Sequence, residues 1–306
     1  MDYELAIIGA GPAGYSATIY AVRSGIKTVI FDKGVGGGLA SIAPNIENYA
    51  GFGEIPGIEL MQKMKNHVEK YTKINFNEEV KEISKGNNFF LIKTNKEKYK
   101  VKAVLITTGT EYRKLNAPGE KELSGKGVSY CATCDGFFFK NKRVAIVGGG
   151  NSALIEAIYL KQIGCSEVYL IHRRDQFRAE KSYVNEAKEK GINFILDSVV
   201  EEINGEAKVE NLDLKNKKTN EISKIDVDGV FISIGEIPQN DIAKKLGVEL
   251  DEKGFIKIDK QGRTSVKGVY AAGDVTGGLR QVITAASEGA IAALSTTEVL
   301  GKKYPY

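Results

Sequence analysis

Cys131-Ala132-Thr133-Cys134 sets two thiols at a spacing that can close a reducible disulfide, and a thiol at a helix N-terminus ionises more easily. Asp135 follows at once and could give a proton to a leaving thiolate; N-capping a helix is a second use compatible with the first. Two other readings of the pair stay open. Zinc would need Cys165 and His172 as further ligands, at a spacing unlike ordinary zinc sites, so no metal is expected. The cysteines could also be buried structural thiols. Cys165 reads as a plain buried cysteine, and His67, on an amphipathic helix, as a surface residue.

Two glycine-rich turns are the next candidates. Gly9-Ala10-Gly11-Pro12-Ala13-Gly14 fits G-x-G-x-x-G, follows a short apolar run and opens a helix. The first glycine makes the tight turn, the second admits a pyrophosphate, and the third lets helix pack on strand. Asp32 is placed to meet ribose hydroxyls. Tyr270-Ala271-Ala272-Gly273-Asp274 ends a late strand, with Asp274 aimed at the phosphate–ribityl part of a flavin nucleotide. Arg280-Gln281 then opens an Ala-rich helix. This half reads as an FAD site.

The second turn, Gly148-Gly149-Gly150-Asn151-Ser152-Ala153, fits G-x-G-x-x-A. Its next strand ends in His172 rather than an acid, and Arg173, Arg174 and Arg178 follow. A carboxylate there would suit a 2′-hydroxyl; guanidinium groups suit a 2′-phosphate, and so NADPH. Of 43 basic residues only eight are arginine, so three within 173–178 are a local concentration.

These turns need strands and helices to carry them. The chain reads as two β-α-β units. The first has strands at 5–8 and 27–31 around a helix at 13–24; the second has strands at 143–147 and 167–171 around a helix at 152–163. Helices are also expected at 58–70 and 281–299. An antiparallel set is expected at 75–102, a strand at 101–106 ending in Thr107-Thr108-Gly109, and strands at 192–214 and 225–234. Linkers are expected at 110–120 and 237–246. The fold class is α/β: two Rossmann-like three-layer nucleotide-binding domains, the NADPH domain inserted into the FAD domain. The boundaries are 1–114, 115–239 and 240–306, with 306 residues suited to two domains. A net charge of +4 argues against a dedicated nucleic-acid binder. Three cysteines, no signal peptide and no long apolar run point to a cytoplasmic protein with neither a disulfide framework nor a membrane span.

Taken together, Gly9–Gly14, Cys131–Gly136, Gly148–Ala153, His172-Arg173-Arg174 with Arg178, Gly273-Asp274 and Arg280-Gln281 resemble the low-molecular-weight thioredoxin reductases over nearly the whole chain. The resemblance implies a homodimer in which electrons pass from NADPH to FAD, to a Cys131–Cys134 disulfide, and to thioredoxin. It implies that Cys134 faces the flavin, Cys131 attacks the substrate and Asp135 is the acid. It also implies that the inserted domain rotates on hinges near 112–118 and 236–242. The flavin set it implies includes Pro12, Ala13, Gly37, Gly38, Leu39, Asn48, Thr108, Gly109 and Val282; Gly38 stands where the family has glutamine, and Ala50 where it has proline. Relatives that use a ferredoxin or deazaflavin donor, which tend to lack the arginine cluster, or that use another disulfide substrate, are the alternative.

Overall fold

The structure, a computed structural model, describes residues 2–303. It divides into two compact units. One contains the residues through Glu111 and from Ile237 onward, and the other is Tyr112–Glu236.

The first unit begins β1 (Leu5–Ile8), α1 (Pro12–Arg23), β2 (Thr28–Phe31), α2 (Gly57–Glu69) and β3 (Ile74–Asn75). Residues of β1 and β2 are buried on both faces, as parallel strands covered on both sides must be. An antiparallel sheet follows, β4 (Val80–Lys85), β5 (Phe90–Thr94) and β6 (Lys98–Val101), and then β7 (Ala103–Ile106) returns to the parallel sheet. The single strand expected at 101–106 is thus two strands in different sheets. Lys102 and Ala103 N–H groups both donate to the Glu4 carbonyl (3.0 and 2.9 Å), and this shared anchor turns the chain from one layer to the next.

The chain leaves through β8 (Thr110–Tyr112). The second unit runs β9 (Val128–Ser129), α3 (Ala132–Asp135), β10 (Arg143–Gly148), α4 (Asn151–Gln162), β11 (Glu167–Ile171), α5 (Lys181–Glu189), β12 (Asn193–Ile195), β13 (Ser198–Asn204), β14 (Asn211–Asn216), β15 (Ile222–Asp226) and β16 (Gly229–Ser233). The sequence reading omits β15. That strand is an exposed edge with no buried alternation, so no hydrophobic period marks it. β17 (Glu236–Pro238) pairs with β8, and α6 (Asp241–Lys245), β18 (Val269–Ala271), α7 (Val282–Ser295) and α8 (Thr297–Leu300) complete the first unit. α6 lies inside the expected linker and is too short to show a helical period, yet it buries Ile242 and Ala243. The expected helix over 281–299 breaks at Thr296, where Thr296 and Thr297 hydroxyls donate to the carbonyls of Ala293 and Leu294 (2.6 Å each).

Both units repeat one plan. The first has the parallel order β18-β7-β1-β2-β3, the second β12-β11-β10-β16-β9, and each has its own three-stranded antiparallel sheet. Alternation along the parallel strands divides each core in two. Leu5, Ile7, Ile30 and Leu105 face the helices, while Ala6, Ile8, Phe31 and Ile106 face the antiparallel layer. Val144, Ile146 and Leu170 do the same for α4 and α5, and Ala145, Val147 and Ile171 for β13–β15. Each fully buried aliphatic side chain contributes about 1.5–3 kcal/mol, so both layers hold the strand ends that carry the glycine turns.

The sequence reading puts the unit boundaries at 114/115 and 239/240. Arg113 N donates to Gly235 O (3.1 Å) within the inserted unit, whereas Gln239 N donates to Gly109 O (3.0 Å) within the other.

Candidate active site

The first glycine turn leaves β1 at Ile8. A side chain at Gly9 (φ +109) would lie 2.3 Å from Thr107 O, and one at Gly14 would lie 1.9 Å from Gly9 O. The protein's own packing therefore demands both glycines. Gly11 is different: its φ is an ordinary −88°, and a Cβ there meets nothing within 4 Å. That open space stands over the N-terminus of α1, whose first helical residue is Pro12 and whose end has no side-chain cap. A phosphate-bearing group fits such a cradle.

Asp32, Gly37, Gly38 and Gly273, expected in this site, lie against the turn. Asp32 accepts from Ala10 N through one oxygen and from Gly34 N through the other (2.8 Å each). Gly37 N donates to Ala10 O (2.7 Å), docking the 34–39 loop on the turn. Gly38 takes φ +58, where glycine costs least, and a Cβ on it would lie 3.6 Å from Gly11 Cα; Leu39 follows in the same 3-10 turn. Gly273 packs against Ala13, to which a Cβ would come within 2.9 Å, and Asp274 opens a 3-10 turn. Asn48 donates to Gln281 Oε1 (3.0 Å), and Gln281 caps α7 just before Val282. Arg280 sits at φ +49 with its guanidinium 5.9 Å from the Phe255 ring centroid. Thr108 and Gly109 engage the returning chain instead: Thr108 Oγ1 donates to Gln239 O (2.6 Å).

The second turn repeats the logic. A Cβ at Gly148 would lie 2.5 Å from Ala153 Cβ, which explains alanine in the last fingerprint position. Gly150, at φ −101, again faces open space over an uncapped helix N-terminus. Asn151 is committed to Glu180, donating to its carboxylate (2.8 Å) and accepting from its N–H (2.9 Å), while Ser152 is exposed. Arg173, Arg174 and Arg178 are exposed, and among the described residues none of the three forms an ion pair. Asp175, the acid in their midst, is held by Lys218 (2.9 Å), which also meets Asp197 (3.0 Å).

His172, expected among the nucleotide-binding residues, is buried against the turn. The residue is 6% exposed, and its ring fills the space where a Gly149 side chain would stand, 2.1 Å from that Cβ position. It stacks on Phe177 at 5.2 Å, Nε2 meets Gln176 O (3.1 Å), and a further hydrogen bond reaches the Gly148 main chain. Burial pushes its pKa down, against those two hydrogen bonds. The imidazole thus packs against the second glycine turn. Arg178 N donates to Gly149 O (2.9 Å) and closes the arginine loop over it.

Cys131 and Cys134 are joined, with S–S 2.04 Å and Cα–Cα 5.3 Å, across the start of α3. That bond fits the reducible pair expected from the C-x-x-C spacing. Among the described residues no group of three or more His, Cys, Asp or Glu could hold a metal ion. Asp135 makes no capping bond. Its carboxylate accepts from Ser129 Oγ at 2.6 Å, and burial pushes its pKa up while that hydrogen bond pulls it down. Tyr130, next to Cys131, stacks on Tyr112 at 4.9 Å with the Lys114 ammonium 3.7 Å from its ring. Its hydroxyl donates to Glu120 (2.8 Å), which also accepts from Leu115 N and Asn116 N (3.1 and 2.6 Å). Residues within 112–118, where a hinge is expected, thus contact Tyr130 and Glu120 of their own unit. Cys165 is buried, its thiol pushed up to about 11, and His67 is exposed beside Tyr71.

Sequence reasoning missed three supports. Thr107 Oγ1 donates to Ile8 O and Gly9 O (3.0 and 2.8 Å), Glu288 accepts from Gly273 N (2.8 Å), and Ser129 meets Asp135. Only Thr107, closing an apolar run like the one before Gly9, carries a signal in the sequence.

The sequence pattern of a family described as pyridine nucleotide-disulphide oxidoreductase matches residues 3–289. The thioredoxin reductase of Bacillus subtilis is 41% identical over 300 residues, covering 96% of this chain and 93% of that protein. The thioredoxin reductase of Helicobacter pylori is 43% identical over 307 residues, covering 97% and 98%. The crystal structure of thioredoxin reductase from Streptococcus pyogenes superposes with a TM-score of 0.93 at 41% identity, covering 98% of both chains. Among the described residues no helix is long and apolar enough to cross a membrane.

Proposed function

Since the chain belongs to the pyridine nucleotide-disulphide oxidoreductase family, we infer that it is a thioredoxin-disulfide reductase, working with a flavin and a pyridine nucleotide. The observation that carries the reading is the Cys131–Cys134 disulfide on the same unit as an open glycine turn and three exposed arginines. The flavin is FAD, held at Gly9–Gly14, Asp32, Gly37–Leu39, Asn48, Thr108–Gly109, Gly273–Asp274 and Arg280–Val282. The nucleotide is NADPH, held at Gly148–Ala153 with Arg173, Arg174 and Arg178 around the 2′-phosphate. Exposed guanidinium groups without acidic partners favour this donor over ferredoxin or a deazaflavin.

When bound, the flavin relays two electrons from the nicotinamide to the disulfide. The chain's own residues do the exchange chemistry. Cys131 thiolate attacks a disulfide sulfur of thioredoxin, that S–S bond breaks, and the leaving thiolate takes the Asp135 proton. Cys134 thiolate then attacks Cys131 sulfur, releasing the second thioredoxin thiolate and restoring the Cys131–Cys134 bond. Phe137 and Phe138, both exposed just past the disulfide, give a protein substrate apolar surface to meet. The reading includes a homodimer in the cytoplasm. It also includes rotation of the inserted unit, pivoting at Gly109–Tyr112 and Gly235–Pro238 rather than within 113–120.

Anaerobic NADPH titration of the purified yellow protein, with and without thioredoxin, tests this. The flavin should bleach, and thioredoxin should restore its colour in the native protein but not with Cys131→Ser or Cys134→Ser. Thioredoxin reduction by either variant would refute the dithiol route.

A further inference from the structure

We propose that Ser129 is a positioning residue for Asp135, a hydroxyl that satisfies the carboxyl group both before and after it gives up its proton. The proposal rests on the reading of Asp135 as the acid of disulfide exchange. Ser129 ends β9, where Phe231 is its register partner on β16, and is 5% exposed. Its Oγ has three polar neighbours: Asp135 Oδ2 at 2.6 Å, Cys131 N at 3.1 Å and Cys131 O at 3.4 Å.

A hydroxyl has one proton and two lone pairs. The Cys131 N–H occupies one lone pair throughout. When Asp135 is ionised, the Ser129 proton points to its carboxylate. When Asp135 is protonated, the carboxyl O–H donates to the second lone pair, and the Ser129 proton rotates to Cys131 O. No heavy atom moves, and neither state leaves a buried polar group unpaired, which would otherwise raise the barrier to proton transfer. The bond to the ionised form is charge-assisted and the stronger of the two, so Ser129 makes Asp135 a better acid in a site where burial makes it a worse one. Of the elements packed on α3, α4 carries Glu156, Tyr159 and Lys161 and the 3-10 turn Gly136–Phe139 carries no ionisable group; β9, which supplies Ser129, carries none either. No charged side chain contributes to the Asp135 shift. The same Oγ holds the Cys131 main chain, so the acid and the attacking cysteine share one support.

The test measures kcat for thioredoxin reduction against pH, at saturating NADPH, for the native holoenzyme and for Ser129→Ala, Ser129→Val, Ser129→Thr and Asp135→Asn. The rate should fall as pH rises through the Asp135 value. Ser129→Ala should lower the plateau about tenfold, the worth of one hydrogen bond to a charged group, and should move that limb to higher pH. Ser129→Thr should restore both. Ser129→Val has the shape of threonine without its hydroxyl, so it should behave like Ser129→Ala and covers the case in which alanine loses flavin or fold. If Asp135→Asn leaves the limb in place, the reading of Asp135 as the acid fails. If Asp135→Asn removes the limb while Ser129→Ala and Ser129→Val leave it at the native pH, the Ser129 proposal is overturned, even if both lower the rate evenly.

Discussion

Gly11→Ala separates a glycine kept for a ligand from one kept for the fold. At φ −88° an alanine is unstrained, and its Cβ meets nothing within 4 Å. Restricting the unfolded chain should add about 0.4–1 kcal/mol of stability. Alanine is a poorer N-cap than glycine, at a cost of about 0.5–1 kcal/mol. The two nearly cancel, so the flavin-free protein should melt within about 2 °C of native. Binding should respond quite differently. A methyl forced against a packed pyrophosphate costs about 1–3 kcal/mol, which weakens FAD binding about 5- to 150-fold. Gly14→Ala is the counterpart: its Cβ would lie 1.9 Å from Gly9 O, so the flavin-free protein itself should lose about 1–3 kcal/mol. Thermal melts of the flavin-stripped proteins, followed by titration with FAD, measure both quantities. An unchanged FAD dissociation constant in Gly11→Ala would refute the claim that the open space receives the cofactor.

Replacing Arg173 and Arg174 with alanine removes two charge-assisted contacts of about 1.5–3 kcal/mol each, so KM for NADPH should rise far more than KM for NADH; equal rises would contradict a 2′-phosphate role. Glu288→Ala should loosen the turn at Gly273, whose N–H it accepts, and speed FAD loss on gel filtration, while Glu288→Gln, which keeps an acceptor, should retain it. Burial raises the Asp135 carboxyl above its unfolded value, so the native protein loses stability as pH climbs from the ordinary carboxylate range through the folded value. Asp135→Asn should remove that loss, giving melting temperatures that match native at low pH and exceed it at higher pH; parallel curves would show that burial of the charge is not what limits stability there.

The two β-α-β units were legible because each signature is local. An apolar run, glycines at fixed spacing and a following helix lie within one short stretch of chain, and the backbone geometry they demand is settled by near neighbours. The Cys131–Cys134 pair and the arginine concentration at 173–178 were legible for the same reason. Boundaries were less so. Val101 and Ala103 look like one apolar run, yet the Glu4 carbonyl, distant in sequence, decides that they enter different sheets. Helix α6 and strand β15 were hidden by brevity and by exposure.

The site divides along the same line. Residue type and spacing determined that the chain carries two glycine-rich turns, a cysteine pair and a carboxyl group beside it. Only the tertiary structure decided what those residues meet. His172 turns inward because the missing side chain of Gly149 leaves a slot for its ring, although the sequence places it beside exposed arginines. Thr107 and Glu288 reach the turns at Gly9 and Gly273, and Ser129 reaches Asp135, through hydrogen bonds fixed by strand register and helix packing. Spacing along a chain reports which groups are near one another on a single element. The partners that hold them in place come from elements brought together only by burial of the core, and that information is not local to any motif.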